Sequence, residues 1–311
     1  MTNANDTNVN NPDSGPTRDL PDARSRDSHG PFSGLWLPLI TPFRGNAVDH
    51  AALVRLVQHY CKAGIAGFVV CGSTGEAAAL DEAEQLAVLD TVLKTVQQSK
   101  PGLPVVMGLS GYNLAQTLAW VKALSALSTS SRYPVAGLLV PAPHYIRPSQ
   151  AGLLHWFHTI ADASAAPLIV YDIPQRTGVA IDCRTLLQLA AHPNIHAVKD
   201  CGQDAAKTHA LIADGRLAVM AGDDLQIFSS LALGGAGAIA ASAHVHTARF
   251  VEVIRLLRCG ALNEARAVWM PLVPVIESMF AEPNPASIKA ALAQQGWIEN
   301  ELRAPMMMIS D

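Results

Sequence analysis

Several things are missing from this chain, and each absence closes off a class of function. The 311 residues carry a net charge of only −4, with acids and bases interspersed. There is no basic patch to neutralise phosphates, so nucleic acid is not expected as a partner. Apolar runs are broken by Gly, Pro or charge well before bilayer length, so no membrane-spanning helix is expected. The five cysteines (Cys61, Cys71, Cys183, Cys201, Cys259) are odd in number, widely spaced and without C-x-x-C pairing. That pattern favours reduced thiols and a cytoplasmic location over a disulfide frame or a zinc site. His244 and His246 alternate but have no third ligand at suitable spacing, so metal catalysis is not expected. G-x-G-x-x-G is absent, and Gly234-Gly235-Ala236-Gly237 precedes a strand instead of following one, which argues against a dinucleotide cofactor. Residues 1–30 are rich in Asn, Asp, Ser, Arg and Pro and lack the apolar core of a secretory signal. They read as a disordered extension.

From Leu35 onward, short apolar runs alternate with stretches of helical period. Strands are expected near 35–40, 66–71, 104–109, 135–140, 168–171, 195–198, 218–221 and 236–240. Helices are expected near 48–64, 81–98, 113–127, 149–165, 183–191, 205–213, 225–233 and 248–257. Residues 128–134 read as a polar loop. Strictly alternating β and α segments imply a parallel sheet, and eight such units favour a closed (β/α)8 barrel over a doubly wound sheet. The expected division is an N-terminal extension at 1–30, a catalytic barrel at 31–260 and a C-terminal helical segment at 261–311.

Active sites of such barrels lie at the carboxyl ends of the strands. Those ends bring Thr41, the loop Gly72-Ser73-Thr74-Gly75-Glu76, Tyr145 with Arg147, Tyr171, Lys199 and Gly222-Asp223-Asp224 to one mouth. Of the seven lysines, only Lys199 closes an apolar strand; the others sit in polar or helix-like surroundings. Burial lowers the pKa of an ammonium and frees the amine to condense with a carbonyl. A strand-end lysine facing solvent or paired with Asp200 is the plainer alternative. The glycine-flanked loop can hold a small carboxylate on its backbone N–H groups, or be a tight strand-to-helix turn. A carboxylate such as Glu76 at a helix start is more often structural. Tyr171 can relay protons beside a Schiff-base lysine and Arg176 can fork onto a carboxylate; alone, each is equally a packed aromatic and a loop salt-bridge partner.

In chain order, Gly72-Ser73-Thr74-Gly75-Glu76, Tyr171-x-x-Pro174-x-Arg176-Thr177-Gly178, Val198-Lys199-Asp200 and Gly222-Asp223-Asp224 resemble the dihydrodipicolinate synthase/N-acetylneuraminate lyase family. Pro143-x-Tyr145-x-Arg147-Pro148-Ser149-Gln150 and Glu282-Pro283-Asn284-Pro285 look most like its synthase branch. The resemblance runs from about residue 34 to 310. It implies a class I aldolase, without metal or organic cofactor, that condenses pyruvate with aspartate semialdehyde in lysine biosynthesis. Related aldolases or dehydratases acting on a sugar acid or another 2-oxo acid are the alternative, and a non-catalytic metabolite-binding barrel is a further one. By resemblance, Lys199 forms the imine, the amides of Ser73 and Thr74 hold the pyruvate carboxylate beside Gly72, and Tyr171 shuttles protons. Ser73 links Tyr171 to Tyr145, which is donated across a tight-dimer interface; Arg176 binds the second substrate's carboxylate and Ile239 offers its carbonyl. The family implies a homotetramer of tight dimers.

This sequence departs from the family in places. Ser73 stands where the synthases usually have threonine, and Ser-Thr is common in the lyase and sugar-acid branches. Asp172 and Asp200 replace the usual asparagine and glutamate and put carboxylates near the site. His144, Ala77 and Thr117 stand at positions of the lysine feedback site, so weak or absent inhibition by lysine is expected.

Overall fold

The computed structural model describes residues 31–130 and 134–309, with the backbone alone for 127–130. Eight parallel strands close into a barrel in the order β1-β10-β9-β8-β7-β6-β5-β4. They are β1 (Gly34–Pro38), β4 (Gly67–Val70), β5 (Val105–Gly108), β6 (Gly137–Pro141), β7 (Leu168–Asp172), β8 (Ile195–Asp200), β9 (Ala218–Ala221) and β10 (Gly237–Ile239). Trp36 closes the ring, facing Ile239 on one side and Gly67 on the other. A two-stranded hairpin, β2 (Phe43–Arg44) and β3 (Ala47–Val48), follows β1 and was not expected, because two-residue strands leave no alternation to read.

Helices follow the strands: α1 (His50–Cys61), α2 (Glu82–Ser99), α3 (Leu114–Ser130), α4 (Gln150–Ala163), α6 (Cys183–Leu189), α7 (Ala205–Asp214), α8 (Ile227–Ala232) and α9 (Thr247–Arg258), with a one-turn helix α5 (Pro174–Thr177) after β7. Their starts are chemically marked. Asp49 accepts from the N–H of Ala52, Asp81 and Glu84 form a reciprocal capping box, and Ser149 accepts from Gly152. Each such cap is worth about 1 kcal/mol. α3 runs on through Ser130, three residues into the segment expected to be loop.

Alternation along the strands builds two cores. Phe32, Trp36, Val69, Val106, Leu139, Ile169, Ala197, Met220 and Ile239 fill the barrel, and a larger cluster lies between strands and helices. The C-terminal helices α10 (Leu262–Trp269), α11 (Val273–Met279) and α12 (Ala286–Gln294) share the outer core through Trp269, Ile276, Ile288 and Leu292. No helix among the described residues is long and apolar enough to cross a membrane.

Candidate active site

Parallel pairing of β7 with β8 sets Tyr171 opposite Lys199 and Asp172 opposite Asp200. One pair faces inward and the next faces out. Tyr171 and Lys199 are both buried, and the Lys199 Nζ lies 4.3 Å from the centroid of the Tyr171 ring. Burial is the largest influence on Lys199 and pulls its pKa down; ionised Tyr171 and Cys201, with Asp224, would lift it above its ordinary value. Burial, however, pushes the Cys201 thiol up to about 12 and raises the Tyr171 phenol as well. Both are neutral near pH 7 and exert no anionic pull there. With that pull weakened, burial works toward the free amine, against Asp224 and the hydrogen bond to Tyr171.

Burial alone does not single out Lys199. Lys207 and Lys289, both on helices, are buried too. Each is held by a carboxylate: Lys207 by Asp172, and Lys289 by Glu76. Among the described residues Lys199 has no such ion pair. The position of Asp172 now has a physical account. Its side chain faces away from the barrel axis, accepts from the Ile181 N–H at 3.2 Å and holds the Lys207 ammonium. Asp200 likewise accepts from the Gly202 N–H at 2.9 Å and the Thr208 hydroxyl at 2.6 Å. Neither carboxylate reaches into the site, contrary to the expectation that they add carboxylate chemistry there.

The loop after β4 is held in an unusual shape. Cys71 and Glu76 both adopt left-handed φ of 53°, each costing about 1–2 kcal/mol. Gly75 N–H donates to the Gly72 carbonyl at 3.1 Å, and the Thr41 hydroxyl to the Gly75 carbonyl at 2.8 Å. Among the described residues, the N–H groups of Ser73 and Thr74 have no protein acceptor, as an anion-holding loop requires. The Thr74 hydroxyl accepts from Asn284 Nδ2 at 2.9 Å.

A cavity of about 350 Å³ opens at this mouth, and Gly72, Ser73, Leu139, Tyr171, Arg176 and His144 are part of its wall. Lys199 does not line it directly and is reached past Tyr171. Arg176, on α5, is exposed and makes no ion pair among the described residues. Ile239 is fully buried in the inner cluster with Tyr171 and Cys201.

Tyr145 is not brought to the others within one chain. It is 86% exposed, with φ of 72°, and Arg147 two residues on is also left-handed at 46°. Asp224, buried, accepts from the Ser242 N–H and hydroxyl at 2.7 and 2.6 Å, and burial raises its pKa to about 6. His244 is structural: Nδ1 lies 2.8 Å from the Ala241 carbonyl and Nε2 3.3 Å from the Ile40 N–H. With both ring nitrogens occupied it has none for a metal, and no cluster of three metal-ligating side chains occurs among the described residues. Cys201, two residues past Lys199, shares its inward phase and joins the inner cluster beside Tyr171.

The sequence profile of the dihydrodipicolinate synthetase family matches residues 31–311. The chain belongs to this family. It is 35% identical over 283 residues to 4-hydroxy-tetrahydrodipicolinate synthase 2 of Clostridium acetobutylicum, covering 90% of this chain and 96% of that one. It is 34% identical over 281 residues to the 4-hydroxy-tetrahydrodipicolinate synthase of Thermodesulfovibrio yellowstonii, covering 90% and 94%. Among solved structures, the dihydrodipicolinate synthase of Thermotoga maritima superposes with a TM-score of 0.85 at 29% identity, over 91% of this chain and 95% of that one. The pyruvate-complexed dihydrodipicolinate synthase of Acinetobacter baumannii superposes with a TM-score of 0.84 at 28% identity, over 90% and 94%. Family membership and the closed barrel agree with the resemblance read from the motifs.

Proposed function

We propose that this chain is a class I aldolase that condenses pyruvate with aspartate semialdehyde to give 4-hydroxy-tetrahydrodipicolinate in lysine biosynthesis. The observation that carries this reading is the pair Lys199 and Tyr171: an amine without an ionic partner, buried against a neutral phenol. The relatives' names supply the product, and the pyruvate complex of one of them supplies the first substrate.

In this reading the Lys199 amine adds to the keto carbon of pyruvate and water leaves, giving an iminium. The iminium draws electrons from the adjacent methyl group, which loses a proton to become an enamine, and the enamine carbon attacks the aldehyde. Tyr171 passes the protons, since a phenol held neutral by burial can both donate and accept through its oxygen. The amides of Ser73 and Thr74 hold the pyruvate carboxylate beside Gly72, the Ile239 carbonyl faces the substrate, and Arg176 receives the second carboxylate. Tyr145 reaches the site of a second subunit and closes the proton chain through Ser73, in a homotetramer of tight dimers. The exposed Tyr112, Tyr145 and Ile146 support such a contact. We place the enzyme in the cytoplasm, with 31–260 as its catalytic barrel and 261–311 as the C-terminal helical segment.

The test is borohydride reduction in the presence of pyruvate. Wild-type protein should gain one covalent adduct per chain, mapped by peptide mass to Lys199, and Lys199→Arg should gain none. An adduct on another lysine, or no adduct on the wild type, overturns the reading. Turnover on aspartate semialdehyde compared with sugar acids then decides the second substrate. Lysine should inhibit only above millimolar concentration: Ala77 and His144 line the mouth, and the Thr117 hydroxyl is already spent on the Asn113 carbonyl at 3.0 Å. An inhibition midpoint well below millimolar contradicts this.

A further inference from the structure

A set of charges separate from the Asp172–Lys207 pair meets at the back of the loop that carries Ser73 and Thr74. Glu76 turns its side chain inward in that loop, and its Oε1 is ion-paired to the Nζ of Lys289, which is 0% exposed. Glu76 Oε2 accepts from the Arg303 N–H at 3.1 Å. Lys289 Nζ donates to the Glu301 carbonyl at 2.9 Å and lies 4.1 Å from the Phe43 ring centroid. Burial pulls the Lys289 pKa down and Glu76 opposes this.

The Arg303 guanidinium forks onto Glu84 at 2.7 and 2.6 Å and donates to the carbonyls of Ala79 and Asn46 at 2.8 and 2.6 Å. Its charge is therefore matched by Glu84, which leaves Lys289 as the counter-charge of Glu76. Asn284, from the same C-terminal stretch, donates to Thr74. The loop is thus gripped at Thr74 and Glu76, and the helix after it at Glu84, by residues more than 200 positions further along the chain. Glu76 and Arg303 also line the cavity.

We infer that Glu76 and Lys289 are positioning residues whose charge balance sets the affinity of the Ser73–Thr74 amides for the substrate carboxylate, with Arg303 anchoring Glu76 through its backbone N–H. This rests on the proposed function and deepens it. Two left-handed residues hold the loop in a conformation that it would not keep alone, so its shape depends on the grip from behind. A carboxylate two residues from Thr74 repels an incoming anion unless it is neutralised, and in a low-dielectric setting that repulsion is poorly screened. Lys289 supplies the neutralising charge from a position too buried to bind the substrate itself.

A charge series separates this from a merely structural clamp. Lys289→Met bares Glu76 and should raise the KM for pyruvate at least tenfold, about 1.4 kcal/mol, with a smaller change in kcat. Glu76→Gln keeps the shape, leaves Lys289 in excess and should lower that KM. The double variant should return to within about threefold of wild type, as coupled sites do when their interaction is removed together. Loosening of a purely structural clamp raises KM in all three, and that outcome overturns the inference. If Lys289→Met does not fold, Glu76→Gln alone gives the sign: a raised KM refutes the inference and a lowered one supports it. Borohydride trapping of the wild type with pyruvate keeps the two questions apart. A wild type without an adduct refutes the proposed function itself, whereas an adduct with the wrong KM pattern refutes only the positioning role.

Discussion

Lys199, Lys207 and Lys289 share burial but not company, and the difference sets what each can do. A buried ammonium next to a carboxylate has a fixed ionic partner and ties two elements together, as Asp172 does with Lys207 and Glu76 with Lys289. Lys199 has an aromatic face instead. Its rotamer is fixed by crowding from β9: a methyl on Gly222 would lie 2.6 Å from both Lys199 Cγ and Cys201 Sγ, and 2.8 Å from Lys199 Cε. Those contacts are below any real carbon separation, so the lysine must swing away. Gly222→Ala should therefore fold, because the strand before it is unaltered, yet lose on the order of 10²-fold in kcat/KM, as a misplacement of about 1 Å does. Circular dichroism with steady-state rates checks this. Retained activity would show that Lys199 has room to spare.

At the scale of elements, much could be read from the chain itself. The eight β-then-α units follow from apolar runs and helical spacing, and the strand ends place Ser73, Thr74, Tyr171 and Lys199 at one mouth. What could not be read depends on partners far away in sequence. The helical setting of Lys289 says nothing of Glu76, 213 positions earlier, and the outward phase of Asp172 matters only once Lys207 packs behind it. The hairpin at 43–48 and the turn of helix at 174–177 are too short to carry a period. His244 is of the same kind: spacing left it as half of an alternating pair, while the fold seals both ring nitrogens. Burial lowers its pKa to about 4 from 6.5. The unfolded chain then takes up the proton first, and the stability His244 contributes above pH 6.5 is lost as pH falls toward 4. That loss is on the order of 3 kcal/mol. Asp224, raised to about 6 from 3.8, has the opposite sign: the folded state protonates first, so its contribution is present below about pH 4 and is lost as pH rises through 6. The two offset each other between pH 4 and 6 in the wild type. Urea unfolding at pH 7, 5.5 and 4 should show His244→Asn gaining on the wild type as pH falls. Parallel curves would mean that His244 is not sealed.

For the whole molecule, the unsatisfied feature is Tyr145. It is a large aromatic at 86% exposure on a backbone turned left-handed at residues 145 and 147, next to exposed Ile146 and near Tyr112, whose ring meets His144 edge-on at 5.2 Å. Strain and exposed aromatic area are both unfavourable in an isolated chain, and a two-fold contact would cover the area and make use of the strain. If each site takes its Tyr145 from the other subunit, two dead variants can rescue one another. A chain with Tyr145→Phe keeps Lys199, and a chain with Lys199→Met keeps Tyr145. In a mixed dimer one of the two sites receives both residues and the other receives neither. Random exchange makes half of the dimers mixed, each with one complete site, so activity should recover to roughly a quarter of wild type. The experiment is to mix the two inactive proteins, allow subunit exchange and follow the rate over time, with each variant incubated alone as the control. Recovery toward that fraction requires a shared site. No recovery, with exchange verified by native mass spectrometry, would mean that Tyr145 serves its own barrel and that no site is shared between subunits.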